Sequence, residues 1–162
     1  MGQQAFGKAC LESIIKNDVD DVVAVYCAQD IEGKPLDPVK EYALDQRIPV
    51  VQPPNFKDGA VLDSMKALNS DLCVMAFVTI FVPQEAINIP ANGSICFHPS
   101  LLPKHRGPSS INWAVISGAQ KTGLTVFWPN DGLDEGDILL QKEVDIGPED
   151  TLGTVYFQKI FP

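Results

Sequence analysis

The chain has 162 residues, 45% of them hydrophobic, with a mean hydropathy of +0.03; this suits one domain with a real core and excludes a disordered chain. Its formal charge of −9, with no basic stripe, argues against a phosphate-backbone footprint, so nucleic acid is not an expected partner. No apolar run reaches the roughly 18 residues of a membrane span, and Met1-Gly2-Gln3-Gln4 lacks the basic and apolar parts of a signal peptide, so no membrane partner is expected and the cytoplasm is the expected compartment.

The opening Gly2-Gln3-Gln4-Ala5-Phe6-Gly7 leads into residues 8–17, where Ala9, Cys10, Ile14 and Ile15 recur at helical spacing. This is the pattern of the turn after a first Rossmann-type strand, but only Met1 precedes the glycine, so that strand is expected to be missing. G-x-G-x-x-G is not matched, and a tight turn is the better reading than a phosphate cradle. Residues 22–28 are a β-branched run that reads as a covered parallel strand. Asp37-Pro38 caps and starts a helix to about residue 45. A short strand follows at 49–51, and Pro53-Pro54 breaks the chain. Asp58-Gly59 opens a helix with Val61, Leu62, Met65 and Leu68 along one face, and 72–77 is the next strand.

Residues 78–83 form an apolar loop, either a hydrophobic ligand wall or a loop buried under a neighbouring helix. A strand over 94–97 then delivers Cys96-Phe97-His98-Pro99-Ser100-Leu101-Leu102-Pro103-Lys104-His105-Arg106-Gly107, a loop stiffened by two prolines. The helix over 108–117 is expected to turn Ile111, Val115 and Ile116 inward, with Gly118 as its cap. Strands are expected over 124–128 and 138–144, joined by the acidic, glycine-punctuated loop 129–137. A final helix begins at Thr151, with Glu149 and Asp150 at its positive end. Alternating strands and helices predict an α/β, Rossmann-like fold, its sheet mostly parallel with helices on both faces.

The four cysteines, Cys10, Cys27, Cys73 and Cys96, show no ligand spacing, so no metal is expected, and the first three read as buried reduced thiols. His98 and the carboxylates Asp131, Asp134 and Asp137 sit at two strand ends, the usual place for ligands in open α/β sheets. Adjacent strands would bring an imidazole and a carboxylate together as an acid/base site for acyl-group chemistry. Asp131 and Asp137 read as solvated turn residues. The acidic loop fails the EF-hand pattern, and no G-x-S-x-G occurs.

His98-Pro99-Ser100-Leu101-Leu102-Pro103 with Arg106-Gly107, followed by Gly132-Leu133-Asp134-Glu135-Gly136-Asp137, resembles the formyltransferase family, which uses 10-formyltetrahydrofolate. The resemblance covers nearly the whole chain. Gly2-Gln3 with Phe6-Gly7, Phe127-Trp128, Leu139-Leu140-Gln141-Lys142-Glu143, Tyr156 and Phe161-Pro162 are most similar to the hydrolase domains of 10-formyltetrahydrofolate dehydrogenases. The resemblance implies the family's amino-terminal fold, with residues 1–162 as one folate-binding catalytic domain truncated at both ends.

It further implies His98 and Asp134 as catalytic residues, with Cys96 at the position where the family has Asn. Ile80, Phe81 and Val82, with Asp134, would bind the substrate, the first three at the pterin. An amide at position 96 would donate to the formyl oxygen, whereas a thiol is a weak donor; the thiol could instead attack the formyl carbon, but nothing nearby in sequence obviously lowers its pKa. The implied activity is hydrolysis or transfer of the formyl group, leaving tetrahydrofolate and formate or a formylated carrier. The alternatives are formyl transfer to an amine, as in methionyl-tRNA formyltransferases, or a catalytically weak folate-binding fragment. The implied small molecules are 10-formyltetrahydrofolate and tetrahydrofolate, with no metal. A phosphopantetheine carrier domain is an implied partner, and NADP would act only through a further domain outside these residues.

Overall fold

Gly2 and Gly7 bring the start of the chain close to its first helix, α1 (Gln4–Asn17). A Cβ on Gly2 would stand 2.7 Å from the Ala76 carbonyl oxygen, and one on Gly7 would stand 3.2 Å from the Gly2 carbonyl carbon. The two glycines therefore serve close backbone packing. The amide at the start of α1 is already matched to an anion of the chain's own: Gln4 N–H donates to the Asp37 carboxylate, at 2.8 and 3.0 Å from its two oxygens.

The computed structural model describes residues 1–162 as two units, Met1–Ser94 and Ile95–Pro162. In the first, β1 (Val25–Tyr26) pairs in parallel with β2 (Val50–Val51). Met1 and Gly2 hold the place of the first strand, which the sequence predicts to be missing. Gly2 N–H donates to Tyr26 O at 3.0 Å, Ala76 N–H donates to Met1 O at 2.9 Å, and the terminal ammonium donates to Val74 O at 2.7 Å. They thus link β1 to β3 (Cys73–Met75), with Gly2 bridging Ala76 in parallel. Beyond Met1 a groove of about 610 Å³ runs between these strands, lined by Val23, Val25, Leu72 and Val74. Strand β1 has two residues where the sequence predicts seven.

Helix α2 (Pro38–Asp45) starts where Asp37-Pro38 predicts, and the Asp37 side chain accepts from Val39 N–H at 3.0 Å. Helix α3 (Gly59–Ala67) starts behind Asp58 in the same way, burying Leu62 and Met65. Leu11 of α1, Val25 and Cys27 of the β1 segment, and Val39 and Ala43 of α2 form one core cluster. Burial, with smaller contributions from nearby charges, pushes the Cys27 thiol up to about 11, so it packs as an inert group. The apolar loop 78–83 ends in a short helix, α4 (Gln84–Ile87), absent from the sequence reading.

Asp37 is the one side chain that closes two helix starts. Removing such a cap costs about 0.5–2 kcal/mol per helix end. Asp37→Ala is therefore expected to lower the unfolding free energy by about 2 kcal/mol in urea titrations, and Asp37→Asn by less.

The second unit is built on β4 (Ser94–His98), β5 (Lys121–Phe127) and β6 (Ile138–Asp145). Here the pairing departs from the mostly parallel expectation. Strand β5 runs antiparallel to both β4 and β6, with a bulge at Val126/Phe127, so the α/β class holds with a mixed sheet. A ten-residue loop lets β5 and β6 form a hairpin rather than a crossover. Helix α5 (Ser110–Ile116) buries Ile111 but leaves Ile116 73% exposed, so the expected inward face is one residue off at its end. Ile111, Val155 and Ile160 make this unit's core, with Phe97, Val115, Leu124 and Val144 around it.

The chain closes with α6 (Leu152–Thr154), started by a Thr151–Thr154 capping box, and a π-helical turn over Val155–Ile160. Asp150 gathers this end. It accepts from Lys159 Nζ at 2.5 Å, Gly147 N–H at 2.7 Å and the Thr154 hydroxyl at 2.8 Å. Those donors, Lys159 foremost, hold its carboxyl down at about 2. A depressed carboxylate adds stability above its unfolded pKa and loses it as pH falls through its folded pKa. Thermal melts should therefore show a fall in Tm between the model-compound value of 3.8 and about 2 that Asp150→Asn flattens.

Candidate active site

Strand β4 ends at His98, which is 7% exposed. Its neighbours across the sheet are Thr125 on β5 and Gln141 on β6, all three in register. Residues in register share a face of the sheet, and these two polar neighbours hold the loop that follows His98. Thr125 donates its hydroxyl proton to Ser100 O at 2.7 Å and accepts from Leu102 N–H at 3.1 Å. Gln141 Nε2 donates to Leu102 O at 2.9 Å and to the Thr125 hydroxyl at 2.8 Å. Inside the loop, Ser100 N–H returns to His98 O at 2.9 Å. The Ser100 hydroxyl donates to Lys104 O at 2.7 Å, and the Ser110 hydroxyl to Pro99 O at 3.0 Å. The Leu102–Pro103 peptide bond is cis.

So tied, the loop carries the His105 carbonyl back over His98. His98 Nε2 lies 2.9 Å from His105 O. A carbonyl only accepts, so Nε2 carries the proton. The ring's other nitrogen, Nδ1, faces Asp134 Oδ2 at 3.5 Å. That gap exceeds a good hydrogen bond. A protonated Nδ1 can act there as an acid, and an unprotonated one can accept from a group held between ring and carboxylate.

Asp134 sits in the β5–β6 loop at a left-handed φ of 47°. Two links join this loop to the end of the His98 loop. Gly107 N–H donates to Asp134 Oδ2 at 2.7 Å, and Arg106 pairs with Glu135 at 2.9 Å. The ion pair is about half exposed, so it is worth at most about 1 kcal/mol. The amide bond to a carboxylate is the stronger link. A Cβ on Gly136 would collide with Trp128 O, so the loop's closing turn depends on glycine.

The structure brings His98 and Asp134 together, as the sequence predicts. Asp131 lies elsewhere on the same loop, exposed, and the Asp137 carbonyl closes the hairpin by accepting from Trp128 N–H at 2.9 Å. Cys96, two residues before His98 on β4, shares its sheet face by strand alternation, and its Sγ lies 3.6 Å from Phe97 O. Ile80, Phe81 and Val82 belong to the first unit. Ile80 lines a cleft there with Gly2, Gln3, Tyr26, Phe56 and Phe77. Val82 is buried, while the Phe81 ring is 71% exposed with Lys57 Nζ 5.6 Å from its centre. No group of three or more His, Cys, Asp or Glu side chains is arranged to hold a metal ion. Sequence reasoning passed over Thr125, Gln141 and the His105 carbonyl, because a polar residue inside a strand has no motif until the register is known.

The formyl transferase family model matches residues 1–160. The chain is 42% identical over 167 aligned residues to the cytosolic 10-formyltetrahydrofolate dehydrogenase of Mus musculus, covering all of this chain and 18% of that protein. It is 38% identical to the methionyl-tRNA formyltransferase of Alkaliphilus oremlandii, covering 96% of this chain and 52% of that one. Among solved structures, a phosphoribosylglycinamide formyltransferase from Bacillus halodurans superposes with a TM-score of 0.81 at 25% identity, covering 96% of this chain and 82% of that one. The match runs through both motifs and nearly every residue between and around them: this chain belongs to the formyl transferase family.

Proposed function

We propose that this chain binds 10-formyltetrahydrofolate and removes its formyl group, with water as acceptor or with a carrier thiol in place of water. The observation that carries this reading is the His98–Asp134 pair, with Nε2 fixed on a carbonyl and Nδ1 facing a carboxylate at 3.5 Å. The family and the 42% identity to a 10-formyltetrahydrofolate dehydrogenase support the folate substrate. Residues 1–162 are then a folate-binding catalytic domain, with Ile80, Phe81 and Val82 contributing the pterin contacts. These residues offer apolar side chains and loop backbone groups, the combination a flat heteroaromatic ring requires.

In this reading Asp134 accepts a proton from the attacking water as its oxygen bonds to the formyl carbon. His98 donates from Nδ1–H to the formyl oxygen as charge builds there, which requires the ring to carry a second proton besides the one on Nε2. The C–N bond then breaks as the folate nitrogen takes the His98 Nδ1 proton, the proton on Asp134 passes back to the ring, and formate, tetrahydrofolate and one proton leave. The Gly107 amide keeps the carboxylate in place. Cys96 leaves the formyl oxygen without the strong donor an amide would supply, and loss of one such donor costs about 2.7–4 kcal/mol in other enzymes. A slow, water-accepting reaction suits this site better than rapid transfer to an amine.

Two sets of variants test the assignment. His98→Ala and Asp134→Asn should each lower the kcat for tetrahydrofolate release from 10-formyltetrahydrofolate by about 10²–10⁴-fold, with folding unchanged by circular dichroism. Wild-type rates in both variants would remove the pair from the chemistry. Cys96→Asn should raise formyl transfer to an added amine by about 10²-fold, read by mass spectrometry of the formylated amine.

A further inference from the structure

We infer that Thr125 and Gln141 are positioning residues that set the tautomer and aim of the His98 ring. The inference rests on the role proposed for His98, but its geometry stands apart from that role.

The Thr125 hydroxyl is fully used. A hydroxyl has one proton to give and two lone pairs. The proton goes to Ser100 O, and the lone pairs take Leu102 N–H and Gln141 Nε2–H. The amide of Gln141 gives both of its protons, to Thr125 and to Leu102 O. Thr125 is completely buried, so water offers its hydroxyl no substitute, and a bond lost there would leave an orphaned polar atom. The two side chains therefore fix three backbone groups of the loop: Ser100 O, Leu102 N–H and Leu102 O.

That loop has one contact with the imidazole, through His105 O. Its own bonds, Ser100 N–H to His98 O and the Ser100 hydroxyl to Lys104 O, carry the path from the pinned residues to the carbonyl. If the carbonyl moves, nothing obliges Nε2 to keep the neutral ring's single proton, and Nδ1 can carry it toward Asp134 instead. Neither Thr125 nor Gln141 touches the ring nitrogens. They act on the reaction through the place of one carbonyl oxygen.

The test uses the whole chain, with Thr125→Val, Thr125→Ser and Gln141→Leu. The chain has two histidines, so imidazole nitrogen-15 spectra can follow His98 directly. His105→Gln, which keeps the backbone carbonyl, assigns the signals. Wild-type His98 should show a protonated Nε2. Thr125→Val and Gln141→Leu should show a mixture of tautomers and a kcat about 10²-fold lower with KM nearly unchanged. Thr125→Ser should restore both readouts.

A wild-type His98 tautomer together with wild-type kcat in folded Thr125→Val and Gln141→Leu overturns the inference. So does an equal fall of kcat and melting temperature that Thr125→Ser does not repair. If Thr125→Val fails to fold, Gln141→Leu and Thr125→Ser decide by the same two readouts. Absence of folate turnover in the wild type would defeat the functional reading, while the nitrogen spectra would still decide the positioning role.

Discussion

A carbonyl oxygen cannot donate a hydrogen bond, and much of the second unit is arranged around that limit. By standing 2.9 Å from His98 Nε2, the His105 carbonyl turns a symmetric-looking ring into one with a fixed donor edge and a free edge. The free edge is the one that faces Asp134. A catalytic imidazole in the wrong tautomer presents a proton where a lone pair is required, or the reverse. The constraint comes from the backbone, so it is only as good as the loop's register, and the register comes from two strands that contribute nothing to the chemistry themselves. Sites carried on sheet strands are more precise than sites carried on loops. Here the loop borrows that precision through Thr125 and Gln141.

The carboxylate is held in a different way. Asp134 is on a loop, in a backbone conformation that L-residues adopt at some cost, and it has no strand beneath it. Its anchor is the Gly107 amide. The Arg106–Glu135 pair beside it is solvent-exposed and adds little energy. Its use is geometric, since a second link one residue along each loop stops the first from swivelling. Imidazole and carboxylate are thus referred to the same loop, one through residue 105 and the other through residue 107. A shift of that loop would disturb the imidazole's carbonyl contact and the carboxylate's anchor at once.

Much of this arrangement can be read in the chain before folding, and the unreadable parts share a cause. The helix starts at Asp37-Pro38 and Asp58-Gly59 were legible because capping is local chemistry, complete within three residues. The meeting of His98 with Asp134 was legible because both stand at strand ends, while their expected roles came only from the resemblance of the two motifs to the family. The antiparallel turn of β5 was not, since 124–128 reads as the same apolar run whichever way its neighbours point. Ile116 is the last residue of α5, which begins at Ser110 after Ser109 takes a left-handed φ of 61°, and it is left exposed. Met1 and Gly2 looked too short to form a strand, yet their backbone groups pair on both sides. Thr125 and Gln141 are the clearest case. Their meaning is wholly in their register with His98, and register is a property of the folded sheet.

In the reaction proposed here, Cys96 would direct the His98–Asp134 pair toward one acceptor over another. An amide there would hold the formyl oxygen from the ground state onward and lower the barrier for any nucleophile, including an amine that must reach the carbon from outside. With a thiol, charge on that oxygen depends more heavily on His98. An imidazole that must stabilise the oxygen and also supply a proton to the departing nitrogen does each less well, which favours an acceptor already in place between ring and carboxylate. The thiol itself is a poor rival as nucleophile. The imidazole has Nε2 committed to a carbonyl and Nδ1 turned toward Asp134, so the base that would be needed to deprotonate Cys96 is already engaged.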